Sequence, residues 1–224
     1  MPNTQGSYRA PILTPCAASR TADIDAQPKP MTTLPPDAQP PWQVQDRFLE
    51  IHSRWMTLIG EYWQDSQGQR LEYWRIEKAD SVIVLPIQRD RLGQSHIVLP
   101  PASFRPGVGQ VTLDFPGGRR LAGQTPEEAA IAILHRELGL EATAIAQLTP
   151  LNPDGWAINS SFSNQKLYGF VAHLEGDLSP PLGLTAITYP ATATGVGQLL
   201  DELTCLQCRA VLLEWRTGVE NGCP

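Results

Sequence analysis

The most constraining feature of this chain is a punctuated helix in its middle. Thr125-Pro126-Glu127-Glu128 opens it and Gly139 closes it. Thr125 suits the N-cap, Pro126 the first helical position, and Glu128 completes a Thr-x-x-Glu capping box. Glycine at the end supplies the left-handed residue that terminates many helices. The spacing therefore predicts a helix over Thr125–Leu138. Before it the apolar pattern has the period of strands. Leu71–Ile76 alternates, Ser81–Ile87 is a continuous apolar run suited to a strand buried on both faces, and Ser95–Leu99 and Gln110–Phe115 are further strands. Val44–Trp63 reads as strand or mixed structure. After the helix, Leu167–Leu174 reads as a strand. Val196–Trp215 reads as one helix with Leu199, Leu203, Leu206, Ala210 and Leu213 on one face. Strands, helix, strand and helix predict an α/β class with a mixed sheet.

Composition narrows the boundaries. The chain has 224 residues and 21 prolines. Nine of these, from Pro2 to Pro41, fall in residues 1–41, which carry few large apolar side chains. Such a segment cannot bury enough surface to offset its ordering entropy, so 1–41 is expected to be a disordered Pro-rich tail and 42–224 the folded domain. Met31 is an alternative start. Seventeen Lys and Arg against 23 Asp and Glu give a net charge of −6, which argues against a nucleic-acid binder. No stretch approaches the roughly 20 apolar residues of a membrane span, and there is no apolar signal region, so a cytoplasmic protein without membrane contact is expected.

The central segment resembles a Nudix box, G-x5-E-x7-R-E-U-x-E-E-x-G-U with U a bulky aliphatic residue. Gly118, Leu134, Glu137, Gly139 and Leu140 stand in its slots. Phe104-Arg105-Pro106-Gly107, then Leu113-Asp114-Phe115-Pro116-Gly117-Gly118, resembles the lead-in of the ADP-ribose pyrophosphatase-like branch. Ser161–Ala172 resembles the strand that follows the box in that branch. The resemblance spans about residues 42–215. It implies a Nudix-type α/β/α sandwich with a mixed β-sheet and an N-terminal β extension.

In the family, glutamates at i, i+3 and i+4 of the helix share a face and hold divalent metal, usually Mg²⁺, against a pyrophosphate. Here those slots are Ile133, Arg136 and Glu137; the loop glutamate is Gln124 and the bracing arginine is Ala132. Gln124 and Ile133 are neutral and Arg136 cancels Glu137, so four acidic slots carry no net charge. Unit charges about 4 Å apart interact by roughly 4 kcal/mol at an effective dielectric near 20, so Arg136 would repel the metal. Shifting the register by four residues would bury Gly139 inside the helix. Glu127 and Glu128 either replace the lost ligands or dress the positive end of the helix dipole.

The resemblance thus implies a binder of ADP-ribose-like nucleotide diphosphates, or of a protein partner, with a degenerate metal site and no metal ligands of its own. Glu137 is the one retained box carboxylate and the catalytic candidate. Arg105, Gly117, Gly118, Arg119 and Arg136 are the ligand-binding candidates, and Arg120 is either a further one or a structural ion pair. The alternatives are an active divergent hydrolase of nucleoside diphosphate derivatives, which would need Mg²⁺, and a structural or assembly module. Asp154 is the acid nearest the later loop, where Asn164 and Gln165 stand. Cys205-x-x-Cys208 reads as small buried residues inside a helix, with redox and zinc roles as alternatives. His52, His96, His135 and His173 share no ligand spacing. The early aromatics Trp42, Phe48, Trp55, Tyr62, Trp63 and Trp74 mark either a homodimer surface or core.

Overall fold

A computed structural model describes residues 42–177 and 186–220. The Pro-rich tail and the alternative start at Met31 lie outside the described residues. Three antiparallel strands come first: β1 (Gln43–His52), β2 (Thr57–Gln64) and β3 (Arg70–Glu77). Ser53 turns the chain between β1 and β2. Its Oγ accepts from the amides of Trp55 and Met56, each at 3.1 Å. Asp65 does the same between β2 and β3, accepting from Gln67 and Gln69. The mixed pattern of Val44–Trp63 thus resolves into two strands and a turn.

This small sheet has an electrostatic centre. Glu61 is fully buried. Its carboxylate accepts from Arg47 at 2.9 Å, from Arg75 at 2.9 Å and from the Trp63 indole at 3.1 Å. Arg75, with Arg47 and Trp63, holds the Glu61 carboxyl below its usual range against the opposing effect of burial. Phe48 packs tilted on Tyr62 and edge-on to Trp74.

The main sheet contains β4 (Ser81–Arg89), β5 (Ser95–Leu99), β8 (Gly117–Arg119), β9 (Ile145–Pro150), β10 (Trp156–Ala157), β11 (Lys166–Asp177) and β12 (Ile187–Pro190). Its order is β10-β11-β4-β5-β12, with β8 added to β4 and β9 to β11. The central pair β4 and β11 is parallel and the other pairings are antiparallel. Alternate β4 residues point to opposite faces. Val82 and Val84 pack under α1 (Pro126–Leu138) with Ala129, Ala130, Ile133 and Leu134. Ile83, Leu85 and Ile87 pack against Leu199 of α2 (Ala193–Glu202) and Val211, Leu212 and Trp215 of α3 (Leu206–Glu220). Helix, mixed sheet and helix pair make the expected α/β/α sandwich, and β1–β3 are its N-terminal extension.

The α1 punctuation is as expected. Thr125 accepts from the Glu128 amide, Glu128 accepts from the Thr125 amide, and Gly139 sits at φ 68°.

Two expectations need correction. The strand over Gln110–Phe115 ends at Thr112: β7 (Gln110–Thr112) pairs only with β6 (Ser103–Arg105) in a separate ribbon. Leu113 and Phe115 then turn into the core at 6% and 2% exposure, leaving Asp114 between them. Local alternation favoured a longer strand, but no neighbouring strand continues the ladder. Second, Val196–Trp215 is two helices. The first ends at Glu202, with Leu203 extended and buried. Arg209 reaches back from α3 to donate to the carbonyls of Leu200 and Leu203, satisfying groups that the break exposes.

Candidate functional site

Short strand β8 leaves β4 at the edge of a cavity of about 430 Å³. The β6–β7 ribbon and the start of α3 close its other sides. Arg105, Asp114, Gly117, Gly118, Arg119 and Cys205 all line it. A second cavity of about 330 Å³ shares Gly118 and Arg119 and lies against α1. Of the five expected ligand-binding residues, four thus share the first cavity, and Arg136 lines the second.

The box positions also come together. Gln124, Ala132, Ile133 and Arg136 all line the second cavity. Ile133 is 1% exposed and packs into the α1 core. Gln124 accepts from the Leu121 amide at 3.1 Å. Arg136 donates through Nη2 to the Gly117 carbonyl and through Nε to Glu137, both at 2.9 Å. Gly118 makes room for it: a Cβ there would lie 2.8 Å from Arg136 Nη2 and 3.3 Å from Ile133. Mg²⁺ takes anionic and carbonyl oxygens in an octahedral shell. Among the described residues, the side chains lining this cavity are one amide, two guanidiniums and hydrocarbon, a donor set that does not fit Mg²⁺.

Glu137 is half-buried and its carboxylate pairs with Arg136. The two glutamates offered as substitutes stay in the first turn of α1, where Glu128 is engaged in the capping box. Arg119 stacks on Trp55, its guanidinium carbon 4.1 Å from the ring centroid, so the β1–β2 turn folds over the box loop. Arg120 is structural: it pairs with Asp80 at 2.7 Å and donates to the Gln124 carbonyl. Arg105 pairs with Asp114 at 2.7 Å, which raises its already high pKa.

The later loop is mostly committed to holding itself together. Asp154 contributes its backbone carbonyl to Lys166. Asn164 accepts from the Lys78 amide, and Gln165 donates to Ala79 and Ser81. His52, His96 and His135 each face one local carboxylate, Glu50, Asp90 and Glu141. Burial holds the pKa of His173 below the ordinary value.

The cysteine pair is placed differently from expectation. Because the C-terminal helix is broken, Cys205 immediately precedes α3 and Cys208 lies in its first turn, rather than mid-helix. Cys208 is buried and Cys205 half-buried. Hydrogen bonding from Cys208 pulls the Cys205 thiol down to about 6, and the Cys205 thiolate together with burial pushes Cys208 up. Cys208 also faces Asp114, Sγ to Oδ1 at 3.9 Å. Asp114 was visible in sequence only as part of the Leu-Asp-Phe lead-in. No local pattern marks the pair's placement, because the break before α3 depends on the burial of an extended Leu203.

No family model matches this chain. It is 27% identical over 114 residues to the ADP-sugar pyrophosphatase of Mus musculus, covering 48% of this chain and 51% of that protein. It is 26% identical over 117 residues to an uncharacterized Nudix hydrolase of Schizosaccharomyces pombe, covering 49% and 56%. The chain spans about half the length of these curated relatives. Among solved structures, an ADP compounds hydrolase superposes with a TM-score of 0.65 at 20% identity, covering 84% of this chain and 99% of that one. In the sequence of its box and flanks and in its α/β/α fold, the chain is similar to the Nudix hydrolases of the ADP-ribose pyrophosphatase-like branch.

Proposed function

We propose that this chain binds an ADP-ribose-like nucleoside diphosphate at the cleft beside Gly118 and does not hydrolyse it. The observation that carries the reading is the cavity at α1, where Gln124, Ala132, Ile133 and Arg136 stand in the box slots and, among the described residues, the charged side chains lining it are Arg119 and Arg136. A guanidinium in this position offers a phosphate the countercharge that the family's metal would supply. Arg136 is anchored on Gly117 and Glu137, and its side chain is 55% exposed. Its N–H groups not used there are the ones a phosphate oxygen would take. Arg105 and Arg119 flank the same glycines.

The test is calorimetry and thermal shift with ADP-ribose, ADP and AMP, with and without Mg²⁺. ADP-ribose is expected to raise the melting temperature equally in both conditions, without release of AMP. Arg136→Ala is expected to weaken binding by about 10-fold, the usual scale of one charge-assisted hydrogen bond. Tight Mg²⁺ binding at α1 would sink the reading.

A second reading, a divergent hydrolase, is favoured by the retention of Glu137 in its helix slot. It requires metal-dependent release of AMP from ADP-ribose that Glu137→Gln abolishes. A further part of the proposal concerns assembly. Ile51, Trp55 and Trp74 of the N-terminal extension are 53%, 52% and 40% exposed, which suits a surface covered by a second copy of the chain. Ile51→Asp is then expected to convert a dimer to a monomer in analytical ultracentrifugation; a wild-type monomer would remove this part. Among the described residues no helix is long and apolar enough to cross a membrane. The setting proposed is the cytoplasm, where thiols such as Cys205 and Cys208 stay reduced.

A further inference from the structure

We propose that Asp114, Cys205 and Cys208 form a binding site for a thiophilic divalent cation of the zinc class, with one coordination position open to the cleft. The site is independent of the nucleotide reading, because none of its three ligands stands in a box slot, although Arg105 borders both.

Geometry comes first. One ligand atom from each of the three residues lies within 4.8 Å of the other two. A tetrahedral zinc ion, with bonds of about 2.3 Å to sulfur and about 2.0 Å to oxygen, holds its ligand atoms roughly 3.5 Å apart. The Cys208 Sγ to Asp114 Oδ1 separation of 3.9 Å is close to that. Cys205 and Cys208 are three residues apart across the start of α3, which brings both sulfurs to one side of the helix end.

The carboxylate is held ready. Asp114 Oδ2 accepts from Arg105 Nε at 2.7 Å and from Thr112 Oγ1 at 2.8 Å. Those two bonds fix the plane of the carboxylate and leave Oδ1 toward the sulfurs. This is the outer-shell support that orients metal ligands. Charge also balances. Two thiolates and a carboxylate carry three negative charges, and Arg105 on the far oxygen offsets one, leaving two for a dication. Sulfur donors select zinc-like ions over Mg²⁺ or Ca²⁺.

Finally, all three residues line the cleft. Three protein ligands and an exposed fourth position is the arrangement of an open zinc site, in which water or a ligand oxygen completes the shell.

The experiment uses the full chain, reduced and stripped of metal, titrated with Co²⁺ and then Zn²⁺. The expected result is a thiolate-to-cobalt charge-transfer band and tetrahedral visible bands that saturate at about one Co²⁺ per chain and are displaced by Zn²⁺. The charge-transfer intensity should fall by about half in Cys205→Ser and vanish in Cys205→Ser/Cys208→Ser. Thr112→Val, which removes only outer-shell support, should weaken the ion by about 10-fold. Replacing the other two of the chain's four cysteines, Cys16→Ser/Cys223→Ser, should leave the spectrum unchanged. Should the buried Cys208 variant not fold, X-ray absorption on the wild-type zinc form decides, with two sulfurs and two lighter ligands expected. Absence of the bands in the reduced protein, their survival in the double cysteine variant, their loss in Cys16→Ser/Cys223→Ser, or a four-sulfur shell would each overturn the proposal. So would a Cys205–Cys208 disulfide that, once reduced, takes no Co²⁺.

Discussion

The cavities on the two sides of Gly118 carry opposite chemistry. Toward α1, Gln124, Ala132, Ile133 and Arg136 present hydrocarbon, an amide and a cation. Toward α3, Asp114, Cys205 and Cys208 present one oxygen and two sulfurs within 4.8 Å of each other. Both share Gly118 and Arg119 of the same short strand. The lesson is that the backbone of this sandwich supplies cavities, while the donor set of each depends on a few side chains. A helix can keep its caps, its buried face and its position and still lose every ligand slot but one.

Restoring carboxylates to the box slots would erase the chemical difference between the two cavities. Ile133→Glu with Arg136→Glu puts a carboxylate where a residue now 1% exposed packs into the core. Without metal it is expected to lower stability by about 4 kcal/mol in urea denaturation, from lost apolar burial and an unsatisfied polar group. Millimolar Mg²⁺ should restore part of that. A neutral effect in the absence of metal would mean that Ile133 is not core.

The N-terminal sheet shows what a committed buried carboxylate looks like here. Glu61→Ala is expected to cost about 3 kcal/mol, because Arg47 and Arg75 lose their shared counter-charge. The pH dependence follows from the lowered pKa of Glu61. An unfolded carboxyl titrates near 4.5 and the folded one below that. The stabilisation is therefore complete above about pH 4.5 and is lost as pH falls through the folded value. Glu61→Gln should flatten that acid limb in thermal melts; an unchanged limb would assign it to other carboxylates.

Smaller effects sharpen the contrast. The Arg136–Glu137 pair is largely solvated, so Arg136→Ala should change stability by less than about 1 kcal/mol while still weakening ADP-ribose. Gly118→Ala should have a stability effect of the same small order. Its Cβ would lie 2.8 Å from Arg136 Nη2 and 3.3 Å from the buried Ile133, and would push Arg136 off the Gly117 carbonyl. A Gly118→Ala protein that binds ADP-ribose as tightly as the wild type would detach Arg136 from the ligand.

Much of this was legible beforehand. Strand β5 matches its sequence-predicted range, and α1 is read from Thr125, Glu128 and Gly139 alone. The continuous apolar run of β4 is buried on both faces as its composition demands. The four altered slots meet around one cavity. Strands β8, β9 and β12 were not legible. Pairing with β4, β11 and β5 rather than any local pattern makes them strands. Glu61 gave no local sign either, because its partners lie on the two neighbouring strands.

Features that rest on neighbours within a turn or two are written in the local sequence: the caps of α1, the faces of β4, and the identities in the box slots. Tertiary structure alone decided where the C-terminal helix breaks and what Asp114 faces. An apolar stripe through Leu199, Leu203 and Leu206 is compatible with one helix or two. Burial of an extended Leu203, with Arg209 folding back onto the freed carbonyls, selects two. That break moves Cys205 and Cys208 to the start of α3 and sets them beside a carboxylate from a distant part of the chain. Contacts between residues so far apart in sequence leave no periodicity to read.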